Sequence, residues 1–181
     1  MPFAVTHILV PLLLAAIIRD FLLKKKKFSM HYVLIAGLGG ILPDIDVAFF
    51  WILYFFGFTF EQVHKTFLHS IFIPVLFFIF YLALKNINIK AKICNIGRHE
   101  LKLSIIFLML AFGSFTHIAL DGIFGESFQA LYPASDKLVG INLVSYLPYE
   151  LQGLALPSLD AFLLLIWIVY LEVRHRISDF I

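Results

Sequence analysis

Five apolar runs constrain the fold of this chain most strongly, because helices this apolar need a hydrocarbon environment around them. The runs cover residues 5–23, 31–58, 67–84, 103–120 and 159–171. A bilayer is crossed by about 20 helical residues. The 181 residues are 61% hydrophobic and only 14% charged, whereas a soluble domain is nearer half apolar and a quarter charged. The sequence therefore predicts an all-α integral membrane helical bundle of about five transmembrane helices.

The second run is longer than one span requires, and Pro43 interrupts it. Proline ends or kinks a helix, so we expect one helix up to about Leu42 and another from near Asp44, whose side chain can cap the new helix. Broken helices at membrane depth are tolerated where they line a cavity. The glycines ahead of the break predict close packing against another helix: Gly37, Gly39 and Gly40.

The remaining runs predict a third helix kinked at Pro74, a fourth over residues 103–120 and a fifth over residues 159–171. Residues 121–157 mix Gly, Pro, Ser and Asn, which predicts a loop with short helical pieces. No polar linker divides the chain, so residues 1–181 are expected to form a single membrane-embedded domain.

Lysine and arginine clusters predict the orientation. They occupy residues 24–27, 85–102 and 174–176, and such clusters face the cytoplasm. Five crossings satisfy all three, with the amino end outside and the carboxyl end in the cytoplasm, in the inner (cytoplasmic) membrane. The net charge of +2 is too small to suggest nucleic acid, so the expected partner is the lipid bilayer.

Two carboxylates, Asp44 and Asp46, lie between apolar runs. Each would cost several kcal/mol there without compensation, and few other charges are near, so a cation is expected. The alternative is a helix cap plus one hydrogen-bonded neighbour. The orientation places His7, the turn at residues 58–69 and Asp121 on one extracytoplasmic side, with Asp160 as a further acid that no motif supports.

His117 and Asp121 are four residues apart, which places them on one helical face as two ligands or as a structural hydrogen bond. His64 and His69 are five apart, so they fit one site only if His64 lies in an entry turn. Imidazoles and carboxylates are the ligands of zinc and similar ions. The sequence therefore predicts a set of seven metal ligands: His7, Asp44, Asp46, His64, His69, His117 and Asp121.

Seven ligands exceed the needs of one tetrahedral ion, which predicts two divalent ions, zinc in the first place, with manganese or magnesium as alternatives. Three aspartates balanced by two ions and a hydroxide leave the site neutral. Neighbouring hydroxyls can hydrogen-bond the ligands or return to helix carbonyls, the latter being the expectation for Ser114: Thr6, Ser70, Ser114 and Thr116.

Other chemistries fit less well. His99-Glu100 lacks the second histidine of a zincin, and no nucleophile elbow surrounds Ser70 or Ser114. A proton-coupled transporter would explain buried Asp and His, but not their clustering at one face of so small a chain.

Four fragments in this order resemble the YdjM-like family of membrane-bound, metal-dependent hydrolases. They are Thr6-His7, Pro43-Asp44-Ile45-Asp46, His64-Lys65 with His69-Ser70, and Thr116-His117 with Asp121. The family usually has Arg where this chain has Lys65, which keeps the charge and loses bidentate phosphate geometry. The resemblance extends to about Gly122.

The family in turn looks distantly similar to zinc-dependent phospholipase C and single-strand nucleases, which implies water activated against a phosphodiester. By that resemblance Asp44 or Asp46, His64 or His69, His117 and Asp121 are the core ligands, and His7 helps to hold a second ion. One aspartate of the 44/46 pair would be a ligand, and the other a general base or an orienting group for an imidazole.

The expected function is therefore a metal-dependent phosphoesterase or phospholipase-like hydrolase at the extracytoplasmic face. Its substrate would be a phospholipid or another lipid phosphate, and Lys65 would contact the phosphate. The alternative is a non-catalytic membrane protein with a structural or transported metal ion.

Overall fold

Helices make up almost all regular structure in the computed structural model, which describes residues 4–23, 28–64, 67–87, 89–91, 101–125 and 127–176. They are α1 (Ala4–Ile17), α2 (Met30–Ile41), α3 (Ile45–Leu53), α4 (Phe60–Val63), α5 (Phe72–Leu84), α6 (Leu103–Phe124) and α7 (Tyr149–His175). A π-helical turn, Ile18–Leu22, continues α1, and 3₁₀ turns form at Tyr54–Phe56 and Leu143–Tyr146. The strands β1 (Lys90–Ala91) and β2 (Leu101–Lys102) pair as a short antiparallel ladder. The predicted all-α class is confirmed.

Three helices in the described residues are long and apolar enough to cross a membrane. They are α1 with its π turn (19 residues), α6 (22 residues) and α7 (27 residues). The bent pair of α2 and α3 is a fourth candidate if it forms one span. With 13 residues, α5 is about 20 Å long, shorter than the hydrocarbon core of about 30 Å. The predicted membrane helical bundle is confirmed. Within the described residues three or four helices are long enough to cross the membrane, where the sequence predicted about five.

The predicted break at Pro43 is present. α2 ends at Ile41, α3 begins at Ile45, and the two helices differ in direction by 44°. Pro43 has no backbone N–H and cannot continue the hydrogen-bond ladder of α2. The predicted capping role of Asp44 is wrong, because its side chain makes no capping hydrogen bond to α3. That carboxylate instead contacts histidines.

Pro74 and Pro157 disturb their helices less than the sequence predicts. Pro74 is the third residue of α5, where the amide of a helix has no intrahelical partner, so no kink is required there. α7 begins at Tyr149 and continues through Pro157, since transmembrane helices tolerate proline. With α6 extending to Phe124, the predicted loop at 121–157 is much shorter.

Close helix packing at the glycines is confirmed at two positions that shape the site. A Cβ on Gly39 would lie 2.8 Å from the carbonyl oxygen of Leu110 on α6, and a Cβ on Gly40 would overlap the carbonyl oxygen of His7 on α1. Only hydrogen fits at such contacts. The carboxyl end of α2 is therefore wedged between α1 and α6, directly beside His7.

The last helix is held differently. α7 has no buried residue and packs mainly on α1, where Trp167 and Tyr170 contact the apolar core between α1 and α2. Between its charged ends it exposes many apolar side chains, Phe162, Leu165 and Val169 among them, as expected for a helix that faces lipid.

Candidate metal centre

The structure brings all seven predicted ligands together around the α2–α3 break. His69 and His117 are completely buried, and Asp44 is the most accessible member, with 23% of its side chain exposed. The cluster is drawn from five parts of the chain. His7 lies on α1, Asp44 in the break, Asp46 on α3, His64 and His69 between α4 and α5, and His117 and Asp121 on α6. The predicted phosphate contact, Lys65, lies outside the described residues.

His117 is oriented by the backbone of α2. Its Nδ1 lies 2.7 Å from the carbonyl oxygen of Gly40. A carbonyl only accepts, so Nδ1 carries the proton, and the neutral imidazole has its lone pair at Nε2. This use of Gly40 was not predicted from the sequence, which suggested only a packing role. The predicted pairing on α6 is present, with His117 Nε2 3.3 Å from Asp121 Oδ2.

Two histidine nitrogens and two carboxylate oxygens form a ring of short contacts. Asp44 Oδ1 lies 3.3 Å from His69 Nε2 and 3.6 Å from His117 Nε2. Asp121 Oδ2 lies 3.6 Å and 3.3 Å from the same two nitrogens. Two ligands about 2.0–2.1 Å from one zinc ion at a tetrahedral angle are about 3.3–3.4 Å apart. The ring therefore has the spacing of atoms that share an ion.

Asp46 contacts the other nitrogen of two imidazoles. Its Oδ1 is 2.9 Å from His64 Nδ1, and its Oδ2 is 3.2 Å from His69 Nδ1. Metal-binding histidines characteristically donate their second ring N–H to such a carboxylate. Asp46 thus leaves Nε2 of both His64 and His69 for another partner, whereas Asp44 lies on the Nε2 side of His69.

His7 joins the cluster from α1. Its ring stacks on His117 with centroids 3.8 Å apart, and its Nε2 is 3.4 Å from Asp121 Oδ1. Asp121 consequently has one oxygen toward His7 and the other toward His69 and His117. A carboxylate placed in this way can bridge two ions.

The strongest sign of a ligand is the set of unsatisfied atoms. Nine buried side-chain nitrogen and oxygen atoms of the described residues lack a hydrogen-bond partner, and eight of them belong to this cluster. Native structures contain few such atoms, since each costs about 1–3 kcal/mol. The eight atoms of the cluster belong to five residues: His7, Asp46, His69, His117 and Asp121. The donor set fits a transition-metal ion, which would satisfy the atoms that His69, His117 and Asp121 direct at one another.

The charge of the cluster also favours a cation. Among the ion pairs of the described residues, Asp44, Asp46 and Asp121 contact only histidines. His69, in the turn before α5, responds to this field. Burial lowers its pKa, but the carboxylates of Asp44 and Asp46 facing its two ring nitrogens outweigh burial and raise the pKa to about 9. The site therefore attracts a proton or a metal ion to the same nitrogens.

Three overlapping groups could each hold an ion, with one ligand atom from each residue within 4.8 Å of the others. Asp46 of α3 is the one cluster residue that belongs to none of these groups. The groups are His7 with Asp44 and His117; Asp44 with His64 and His69; and His69 with His117 and Asp121. Sharing of Asp44, His69 and His117 between groups fits a compact centre of more than one ion.

The hydroxyls near the cluster serve backbone groups. Ser114 Oγ donates to the carbonyl of Gly39 at 3.1 Å, and Thr116 Oγ1 donates to the carbonyl of Phe112 at 2.8 Å. Ser70 Oγ accepts from a backbone amide two residues further on. The expectation that Ser114 bonds to a carbonyl is confirmed, although that carbonyl belongs to another helix.

Asp160 lies outside the three metal-binding groups. Its carboxylate accepts a hydrogen bond from the hydroxyl of Thr6, the residue before His7. The two residues are 154 positions apart, and no local pattern could have paired them. Asp160 therefore links α7 to the end of α1 that supplies His7.

Comparison with known proteins agrees with the four sequence fragments. The family model described as YdjM inner membrane protein matches residues 1–176. The chain belongs to this family. The family description and the apolar helices together establish a membrane location, and the resemblance drawn from the fragments is confirmed. No curated protein and no solved structure gives a significant match.

Proposed function

We propose that this member of the YdjM family is a metal-dependent hydrolase that cleaves a phosphoester bond in a membrane-associated substrate. The observation that carries the proposal is the convergence of eight buried, unsatisfied nitrogen and oxygen atoms in one cluster. Such a set has little value to the fold by itself, since apolar side chains would pack there at lower cost.

Bound divalent ions would supply hydroxide near neutral pH and polarise a phosphoryl oxygen. In this proposal the first ion would be held by four residues: His69, His117, Asp44 and Asp121. Asp121 Oδ1 and His7 extend the cluster toward a second. The preferred ion is zinc because of the imidazole content, with manganese or magnesium as alternatives.

The two aspartates of the break have different roles in this proposal. Asp46, with 4% exposure and both oxygens near imidazole Nδ1 atoms, is a positioning residue for His64 and His69. Asp44 is the accessible carboxylate, so substrate and water approach from its side. Lys65 follows His64 in the sequence and remains the predicted phosphate contact.

We place the site at the extracytoplasmic end of the bundle on the basis of the lysine and arginine clusters. Such a location lets a phospholipid or other lipid phosphate enter laterally, with its tails in hydrocarbon. Cysteine-accessibility labelling tests this directly: residues 85–102 should react from the cytoplasm, and labelling from outside would reverse the orientation.

Hydrolysis is tested with purified protein in phospholipid nanodiscs. Soluble phosphodiesters, phospholipids and lipid phosphates are each assayed with and without a chelator. We expect Asp44→Asn to lower turnover by orders of magnitude at unchanged expression, and Asp136→Asn, at an exposed loop position, to match wild type. If neither the chelator nor Asp44→Asn changes the rate of hydrolysis, the proposed metal-dependent hydrolase function is refuted.

A second candidate is a metal that joins the helices or is transported. The complete burial of His69, His117 and Asp121 favours it, because structural sites are closed by protein ligands and catalytic sites keep an open position. The two functions separate by the environment of the bound ion. An exchangeable water ligand, seen by X-ray absorption or by cobalt substitution, supports the enzyme, and a coordination sphere of protein atoms alone supports the scaffold.

A further inference from the structure

An apolar groove lies between α5 and α6. Its volume is about 320 Å³, within the range of small-molecule pockets. All of its lining side chains are apolar. Those used below are Ile71 at the cap of α5, Val75 and Phe78 from α5, and Leu108, Ala111 and Phe115 from α6.

One end of the groove is at the level of the cluster. Ile71 follows His69 by two residues, and Phe115 precedes His117 by two. The opposite end, at Phe78 and Leu108, is one and a half to two helical turns away, or about 10 Å. Phe80, later in α5, packs on Phe107, earlier in α6, with ring centroids 5.2 Å apart. Together with the lining residues this contact gives an antiparallel arrangement of α5 and α6, so the groove leads away from the cluster toward the amino-terminal part of α6.

We propose that this groove binds one hydrocarbon chain of the substrate, with the phosphoester at the metal centre. The inference deepens the proposed hydrolase function and rests on it, because it names the part of the structure that holds the hydrocarbon chain of the lipid substrate. A polar ligand finds no hydrogen-bond partner among the lining side chains. The chain of a bilayer lipid is present at high concentration beside α5, where Val75 is 44% exposed and Ile79 is 53% exposed.

The groove is expected to position the lipid substrate rather than to increase its binding affinity. Lipid tails are as apolar as the groove, so entry from the bilayer removes no additional apolar surface from water. Holding one chain beside Ala111 limits the places that the headgroup can occupy. A phosphoester anchored at one end by carboxylate-bound metal and at the other by its chain is restrained near a reactive geometry.

Filling the groove tests the inference. Ala111 is 6% exposed, and Ala111→Phe should project a ring into the groove. The control is Val169→Phe on α7, at a position 59% exposed and remote from the groove. Each variant is assayed on dioleoylphosphatidylglycerol in nanodiscs and on soluble bis(p-nitrophenyl) phosphate, with metal content measured in parallel.

We expect Ala111→Phe to lower turnover of the long-chain lipid about ten- to a hundredfold, while metal content and turnover of the soluble diester stay at wild-type values. Val169→Phe should change neither. Equal losses on both substrates, or no loss on the lipid, would overturn the inference. If Ala111→Phe does not fold, Val75→Phe narrows the groove from its more exposed wall and is judged by the same criteria.

A second readout does not depend on catalysis. Phosphatidylcholine with a diazirine at the end of one acyl chain is photolysed in nanodiscs, and the labelled peptides are identified by mass spectrometry. Selective labelling within 71–78 and 108–115, reduced by Ala111→Phe, supports the groove. If residues 71–78 and 108–115 are labelled no more strongly than α7, the proposed lipid-binding groove is refuted. Selective labelling in a protein that hydrolyses none of the soluble phosphodiesters, phospholipids and lipid phosphates would refute the hydrolase and leave the lipid site.

Discussion

The two ends of α1 hold two polar clusters of opposite character. At the metal centre, three carboxylates meet only histidines within the described residues, and most buried polar atoms lack hydrogen bonds. At the other end, Arg19 donates to Asp20 at 2.8 Å and to the carbonyl of Phe28 at 3.0 Å. Tyr170 of α7 donates to Asp20 at 3.0 Å. The second cluster satisfies its charges internally.

This difference separates a structural cluster from a binding site. A buried carboxylate paired with Arg19 and Tyr170 needs no additional ligand, and it ties α7 to α1. Carboxylates faced by imidazoles are different, because the imidazoles offer lone pairs as readily as protons. A cation would therefore satisfy the first cluster, whereas the charges of the second are paired within the chain.

The largest expected effect is loss of metal from the first cluster. His117→Ala and Asp121→Ala should each abolish retained metal, because each removes ligand atoms from a low-dielectric site. Elemental analysis of the purified variants gives the answer. His175→Ala, on the last turn of α7, is the matched control and should retain wild-type metal. Equal metal in all three proteins would contradict the assignment.

A large effect without metal loss is expected at the second cluster. Asp20→Asn leaves the charge of Arg19 poorly compensated, which costs about 3–5 kcal/mol when a buried pair is broken. Thermal unfolding should move to lower temperature, while the metal bound per folded molecule stays constant. Metal loss in this variant would erase the distinction between the clusters.

Asp46→Asn should have an intermediate effect. Replacing a carboxylate that orients metal-binding imidazoles typically weakens metal affinity about 10- to 100-fold. Titration with a competing chelator measures this change. A complete loss like that of His117→Ala would instead make Asp46 a direct ligand.

The smallest effect should come from the contact between Thr6 and Asp160. Thr6→Val removes one hydrogen bond, worth about 1 kcal/mol, and loosens α7 near His7. Thr116→Val is the control, since its hydroxyl serves only a carbonyl of its own helix. Hydrogen exchange in residues 149–160 should rise in Thr6→Val alone, and equal exchange in both variants would remove the predicted link.

Local chemistry was sufficient for several features. The length and composition of the apolar runs predicted the membrane helices, the missing N–H of Pro43 predicted the break, and the spacing of His117 and Asp121 predicted their shared face. Each depends on residues within one or two helical turns. The joint presence of histidines and aspartates in an apolar chain also predicted a metal centre, because so many polar groups are too costly there without a ligand.

The tertiary structure decided how those residues divide their roles. Asp44 was expected to cap a helix, but its carboxylate contacts His69. Both oxygens of Asp46 contact imidazoles, and the carbonyl of Gly40 accepts from His117. These contacts join residues 18 to 77 positions apart. Periodicity tells which face of a helix is polar, but only the packing of α1, α2 and α6 determines which nitrogen meets which oxygen.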